Sequence, residues 1–123
     1  MAIRLDHLAI ITATDEDNAE VAAFFADVLG LAVTGDAAQG YAEVATGGPT
    51  VSLHRGSLSD EVRPHGGTLL QFACDDVRGF ADLVTQRGGR LAVEPVETDW
   101  GTLSAYVAGP HGVMVELYEW RAQ

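Results

Sequence analysis

A histidine and a carboxylate interrupt two runs of this chain that are otherwise largely apolar. His7 lies in Leu5-Asp6-His7-Leu8-Ala9-Ile10-Ile11, and Glu116 lies in Val113-Met114-Val115-Glu116-Leu117-Tyr118. An imidazole nitrogen and a carboxylate oxygen can each ligate a divalent metal or move a proton. Between Val115 and Leu117 a carboxylate is costly to bury unless it is paired, hydrogen-bonded or metal-bound; on a sheet with one wet face it is merely solvated. His7 has an equally plain reading, as a histidine satisfied within its strand. If side chains alternate across each strand, His7, Ala9 and Ile11 share one face. Ser52 and His54 then share another, as do Glu116 and Tyr118. The opposite parity, Val51, Leu53, Val115 and Leu117, is expected against helices, which leaves a shared polar concavity. Asp6 is expected to point away from His7. His111, in Gly109-Pro110-His111-Gly112, reads as a turn residue.

Other chemistries lack their residues. Gly47-Gly48-Pro49, Gly66-Gly67 and Gly88-Gly89 do not have phosphate-loop spacing. There is no Gly-x-Ser-x-Gly elbow and no Cys-x-x-Cys pair. Cys74 is the sole cysteine, so an intrachain disulfide is excluded and a reducing, cytoplasmic setting is expected.

The elements that must hold these residues come in two similar sets. Leu5–Thr12 reads as a buried strand. Thr14-Asp15-Glu16-Asp17 is a capped helix start, and Val21, Phe24, Phe25, Val28 and Leu29 recur at helical spacing until Gly30. Strands are expected over 31–34, 40–45 and 50–55. Residues 57–66 read as a connector, with Arg63-Pro64 and Gly66-Gly67 as breakers. The order then repeats: a strand over 68–74, a helix capped by Asp75 or Asp76 with Val77, Phe80, Ala81 and Val84 on one face, and strands near 91–97, 102–108 and 113–119. His7 and Leu69 are 62 positions apart, and Ser52 and Glu116 are 64 apart. A unit of about sixty residues has been duplicated. The expected fold is α+β: a single domain over 1–123, made of a first module (about 1–56), the connector 57–66 and a second module (about 67–121). Each module is strand, helix, then three strands.

Composition narrows the partners. The 123 residues carry 18 acidic side chains against seven basic ones, a formal net charge of −11. That repels phosphate backbones, excludes nucleic acid and favours cationic ligands. The hydrophobic fraction of 47% suffices for a core. No apolar run reaches the ~18 residues a bilayer span needs, and no signal peptide is expected at the N-terminus.

Four segments together resemble the vicinal oxygen chelate superfamily, which includes glyoxalase I, bleomycin-resistance proteins, extradiol dioxygenases and fosfomycin-resistance enzymes. They are Leu5-Asp6-His7-Leu8-Ala9-Ile10, Phe25-Ala26-Asp27-Val28-Leu29-Gly30-Leu31, Phe72-Ala73-Cys74-Asp75-Asp76-Val77, and Gly109-Pro110-His111-Gly112-Val113-Met114-Val115-Glu116-Leu117. The resemblance spans nearly the whole chain. It implies two βαβββ modules curled as a mixed sheet into a cup around a ligand, and a homodimer. In the metal-dependent members, ligands come from positions that correspond to His7, Ser52, Leu69 and Glu116. His7 and Glu116 match; Ser52 and Leu69 depart from the pattern.

Three readings follow. The first is a small-molecule binder that sequesters a cationic or aromatic ligand without an intact metal site, using His54, Ser52, Tyr118, Leu69, Trp100 and Tyr106, with Trp120 and Phe72 as further flat surfaces. The second is a lyase, isomerase or dioxygenase that holds Zn, Ni, Mn or Fe through His7 and Glu116, with Arg55 and Arg63 near the mouth. The third is a catalytically silent dimeric scaffold.

Overall fold

The computed structural model describes residues 2, 6–56 and 68–121. The expected connector 57–66, Arg63 within it, and Leu5 lie outside the described residues. The chain divides into two compact units, Met1–Gly66 and Gly67–Gln123.

In the first unit, strand β1 (His7–Thr12) leads to helix α1 (Asp15–Ala23), then β2 (Val33–Asp36), β3 (Tyr41–Val44) and β4 (Thr50–Arg55). The sheet order is β1-β4-β3-β2, with β1 parallel to β4 and the other pairs antiparallel. Thr14 caps α1 by accepting from the Asp17 amide at 3.0 Å, and Asp15, Glu16 and Asp17 fill the first turn, where the helix dipole favours negative charge. The helix ends in a π-helical turn, Phe24–Val28, and Gly30 follows at φ 73°, a left-handed position that suits glycine. Val21, Phe24, Phe25 and Leu29 are buried, as are Ile10, Ala42, Val44, Val51 and Leu53 of the sheet on which α1 packs. Buried Asn18 ties helix to sheet: it donates to the carbonyls of Ala37 (3.1 Å) and Leu53 (3.3 Å) and accepts from the Thr12 hydroxyl at 3.0 Å. The second strand begins at Val33, two residues later than expected.

The second unit repeats the plan. Strand β5 (Thr68–Ala73) is followed by helix α2 (Val77–Gln86) and by β6 (Arg90–Glu97), β7 (Thr102–Ala108) and β8 (Val113–Trp120). The order is β5-β8-β7-β6, with β5 parallel to β8. Asp76 is the cap of α2, accepting from the Gly79 amide. Val77, Ala81 and Val84 are buried together with Leu103, Ala105, Val107, Val113, Val115 and Leu117. Edge strand β6 carries two register shifts against β7, and the one between Val93 and Val96 takes in Pro95, where no ladder donor is required. His111 is indeed a turn residue, held at φ 55°.

Register makes the duplication concrete. Ala9 faces Ser52 and Gln71 faces Glu116; Glu43 faces Ser52 and Tyr106 faces Glu116. Ser52 and Glu116 therefore occupy equivalent places, as do His7 and Leu69. Both sheets are four-stranded, mixed and open at their edges.

Candidate functional site

Alternation along β8 sends Val113, Val115 and Leu117 to the helix side and Glu116, Tyr118 and Trp120 to the other face. Glu116 is only 4% exposed, so its carboxylate needs donors in place of water. It has two: Gln71 Nε2 donates to Oε1 at 3.0 Å, and Ser104 Oγ donates to Oε2 at 2.9 Å. The sole Ser104 hydrogen is spent on Glu116, so at 2.8 Å Ser104 accepts from the Thr102 hydroxyl. Thr102 in turn lies 2.9 Å from the hydroxyl of Thr98. Thr102 and Ser104 on β7 thus relay their donors toward one carboxylate, while the Thr98 hydroxyl of the preceding turn donates to the Thr102 carbonyl at 3.1 Å. Among the described residues no arginine or histidine pairs with Glu116, so neutral groups alone compensate it.

A cavity of about 210 Å³ opens over this network, lined by Gln71, Trp100, Thr102, Glu116, Tyr118 and Trp120. Trp100 and Trp120 are exposed. The rings of Tyr118 and Trp120 meet edge to face, with centroids 6.2 Å apart. Of the residues expected at the site, Glu116, Tyr118 and Trp100 are brought together. Tyr106 sits opposite Glu116 on β7 but does not line the cavity, and Leu69 is exposed at the start of β5. Phe72 has the opposite parity: it faces Leu117 in the ladder and so lies off the cavity face. Gln71, Thr102 and Ser104 were not anticipated. Each is an ordinary polar residue of its strand until the register places it beside Glu116.

The first unit holds the rest. Ser52 is 2% exposed, and its hydroxyl reaches the Leu8 carbonyl at 3.5 Å. His54 stands edge-on to the Tyr41 ring, with centroids 4.7 Å apart. His7 Nδ1 lies 2.6 Å from Asp6 Oδ2. This corrects the expectation that Asp6 points away: Asp6 precedes the strand, so pleat alternation does not bind it. His7 Nε2 stands 4.0 Å from Glu43 Oε1, and Glu43 Oε2 accepts from the Tyr41 hydroxyl at 2.7 Å. That bond, followed by desolvation and the Glu43 charge, raises the Tyr41 phenol above its ordinary 10.0. Arg55 is committed to Asp15 at 3.4 Å.

The four positions that the resemblance marks for a metal do not fit one. Leu69 has no donor atom and the Ser52 hydroxyl is buried and turned to a backbone carbonyl, which leaves two ligands where a metal site takes three or more.

Comparison with known proteins agrees with this architecture. Among solved structures, a glyoxalase/bleomycin resistance protein/dioxygenase from Nocardioides superposes with a TM-score of 0.77 at 17% identity, over 98% of this chain and 85% of that one. A member of the same superfamily from Sphaerobacter thermophilus DSM 20745 gives 0.74 at 21% identity, over 96% and 98%. TioX from Micromonospora sp. ML1 gives 0.69 at 17% identity, over 94% and 98%. At such identities the likeness is one of fold. No curated protein matches the sequence. A family model of the Glyoxalase/Bleomycin resistance protein/Dioxygenase superfamily matches residues 4–117. The chain belongs to that superfamily, the vicinal oxygen chelate proteins.

Proposed function

We propose that the protein binds a small cationic, aromatic molecule in the cavity of its second unit, and that this binding does not draw on the superfamily's metal set. One observation carries the reading: a buried carboxylate, compensated among the described residues by neutral donors alone, lines a cavity with two tryptophans and a tyrosine. Aromatic faces attract cations and flat rings. The carboxylate oxygens keep lone pairs for a ligand N–H. An apolar cavity of about 150 Å³ suffices for benzene, so about 210 Å³ admits a larger ring system. The formal charge of −11 supports a cationic partner.

Proflavine, a planar cation with N–H donors, is a suitable probe, read by quenching of tryptophan fluorescence. Saturable binding is expected at one site per chain, weakened about tenfold or more in Glu116→Gln, since a charge-assisted hydrogen bond is worth roughly 1.5–3 kcal/mol. Equal affinity in the parent and in Glu116→Gln would sink the reading.

A further inference from the structure

The bonds to Glu116 come from opposite sides. Gln71 lies on β5 and Ser104 on β7, the two strands that flank β8. Gln71 donates to Oε1 at 3.0 Å and Ser104 to Oε2 at 2.9 Å. The line joining the two oxygens therefore runs across the sheet, from one neighbouring strand toward the other. Each oxygen is held once. An ionised carboxylate accepts at about four positions, so one position stays open on each oxygen, and the cavity is the side from which both are reached. Two acceptors thus lie side by side on a carboxylate whose orientation is fixed. Glu116 is nearly closed to water, and among the described residues no arginine or histidine pairs with it.

We propose that the cavity of the second unit is specific for an aryl amidinium or guanidinium, whose two parallel N–H groups meet Glu116 Oε1 and Oε2 together, with Gln71 and Ser104 as positioning residues. This rests on the cation-binding reading given above and names the class of cation. A planar fork of donors is the geometric complement of a carboxylate and binds it through two parallel bonds. An ammonium is a compact, strongly hydrated point charge, whereas a delocalised planar cation is more weakly hydrated and loses less on entering so closed a site. The fork also brings the positive charge that Gln71 and Ser104 lack. Thr102 holds the arrangement in place: Ser104 accepts from its hydroxyl at 2.8 Å, which keeps the one Ser104 hydrogen on Glu116. The aryl group then lies among Trp100, Tyr118 and Trp120, whose rings attract flat cations.

The test titrates the full chain by calorimetry with three cations that share one ring system: naphthalene-2-carboxamidine, 2-naphthylmethylamine and the N,N,N-trimethyl derivative of that amine. The amidine is expected to bind about tenfold tighter than the amine, and the trimethyl cation to be weaker still, because a charge-assisted hydrogen bond is worth about that factor. Circular dichroism melts establish that each variant is folded. Gln71→Leu and Ser104→Ala are expected to pull the ratio of amidine to amine affinity toward one. A merely structural role would weaken both probes alike and leave the ratio where it was, and that result overturns the positioning. Equal affinity for amidine and amine in the parent, with both weakened in Glu116→Gln, would leave a cation site standing and remove the fork. Failure of all three probes to bind would take the cation-binding reading down as well. Acetyl-argininamide binding as tightly as the amidine would hand the site to an arginine side chain and overturn the aryl assignment.

Discussion

Ser52 and Glu116 hold equivalent places in two sheets, and what separates them is the set of donors within reach. Glu116 has Gln71 and Ser104; the corresponding places around Ser52 hold Ala9 and Tyr41. A carboxylate is tolerated at one position and a small hydroxyl at the other. Tyr41 donates instead to Glu43, and this makes its titration a direct probe of that pair. A raised folded-state pKa means that the bond's stabilising contribution is whole below pH 10.0 and is lost as pH climbs through the higher folded value. The phenolate absorbance of the parent, minus that of Tyr41→Phe, is expected to show a midpoint above 10.0, and Glu43→Gln should lower that midpoint. A parent midpoint at or below 10.0 would remove the Tyr41–Glu43 bond from the account. Glu116 was legible in the sequence because a carboxylate among Val115 and Leu117 stands out. Glu43 was not: in Tyr41-Ala42-Glu43-Val44 it reads as the solvent face of an alternating strand. Only cross-strand register reveals that it faces His7.

At the level of elements, local chemistry was read well wherever a side chain acts on its own backbone. The Thr14 and Asp76 caps and the Gly30 stop all stand where their residue types placed them. The start of β2 was misplaced for a physical reason. The Leu29 amide closes the π-helical turn on the Phe24 carbonyl at 3.3 Å, and past Gly30 the Leu31 amide folds back to the Phe25 carbonyl at 3.0 Å, so Leu31 has no donor left for a ladder. The even spacing of Phe24, Phe25 and Val28 gives no sign of that extra residue per turn. The α2 cap yields a prediction in which context cancels propensity. Alanine ordinarily favours a helix over glycine by about 1 kcal/mol. A Cβ on Gly79 would instead run into the Asp76 carboxylate that caps the helix. Gly79→Ala is therefore expected to bring no gain in urea denaturation, the lost cap, typically worth about 1 kcal/mol, offsetting the propensity term. In an Asp76→Ala background the same change should raise stability. A gain in both backgrounds would show that the carboxylate simply swings aside.

Over the whole molecule, the sixty-residue repeat was legible because its offsets survive as register: first strands at 62 positions and last strands at 64. The polar network was not, because Gln71, Ser104 and Glu116 come from three strands that meet only after folding. No helix among the described residues is long and apolar enough to cross a membrane. The formal charge of −11 acts over distances that no single contact covers. If proflavine binds as proposed, its association rate in stopped flow should fall several-fold as ionic strength rises from about 10 mM to about 150 mM, because the Debye length shrinks from about 30 Å to about 8 Å. A rate insensitive to salt would mean that the charge serves solubility alone.

The parallel pairing of β1 with β4, and of β5 with β8, joins the first strand of each unit to its last, pairing residues 43 and 45 positions apart. During synthesis this imposes an order in time. A nascent chain that has emerged only as far as β3 has no partner for β1, whatever hairpin it has made, and the exposed edge must wait for the ribosome to deliver Thr50–Arg55. Closing such a loop costs entropy before it returns any contact, so the parallel pairing completes each sheet late, after its local antiparallel pairs. The repeat therefore sets a rhythm of two delayed closures, one per unit, and the interval before each is when the chain is most exposed to chaperones and to mispairing with its own copies.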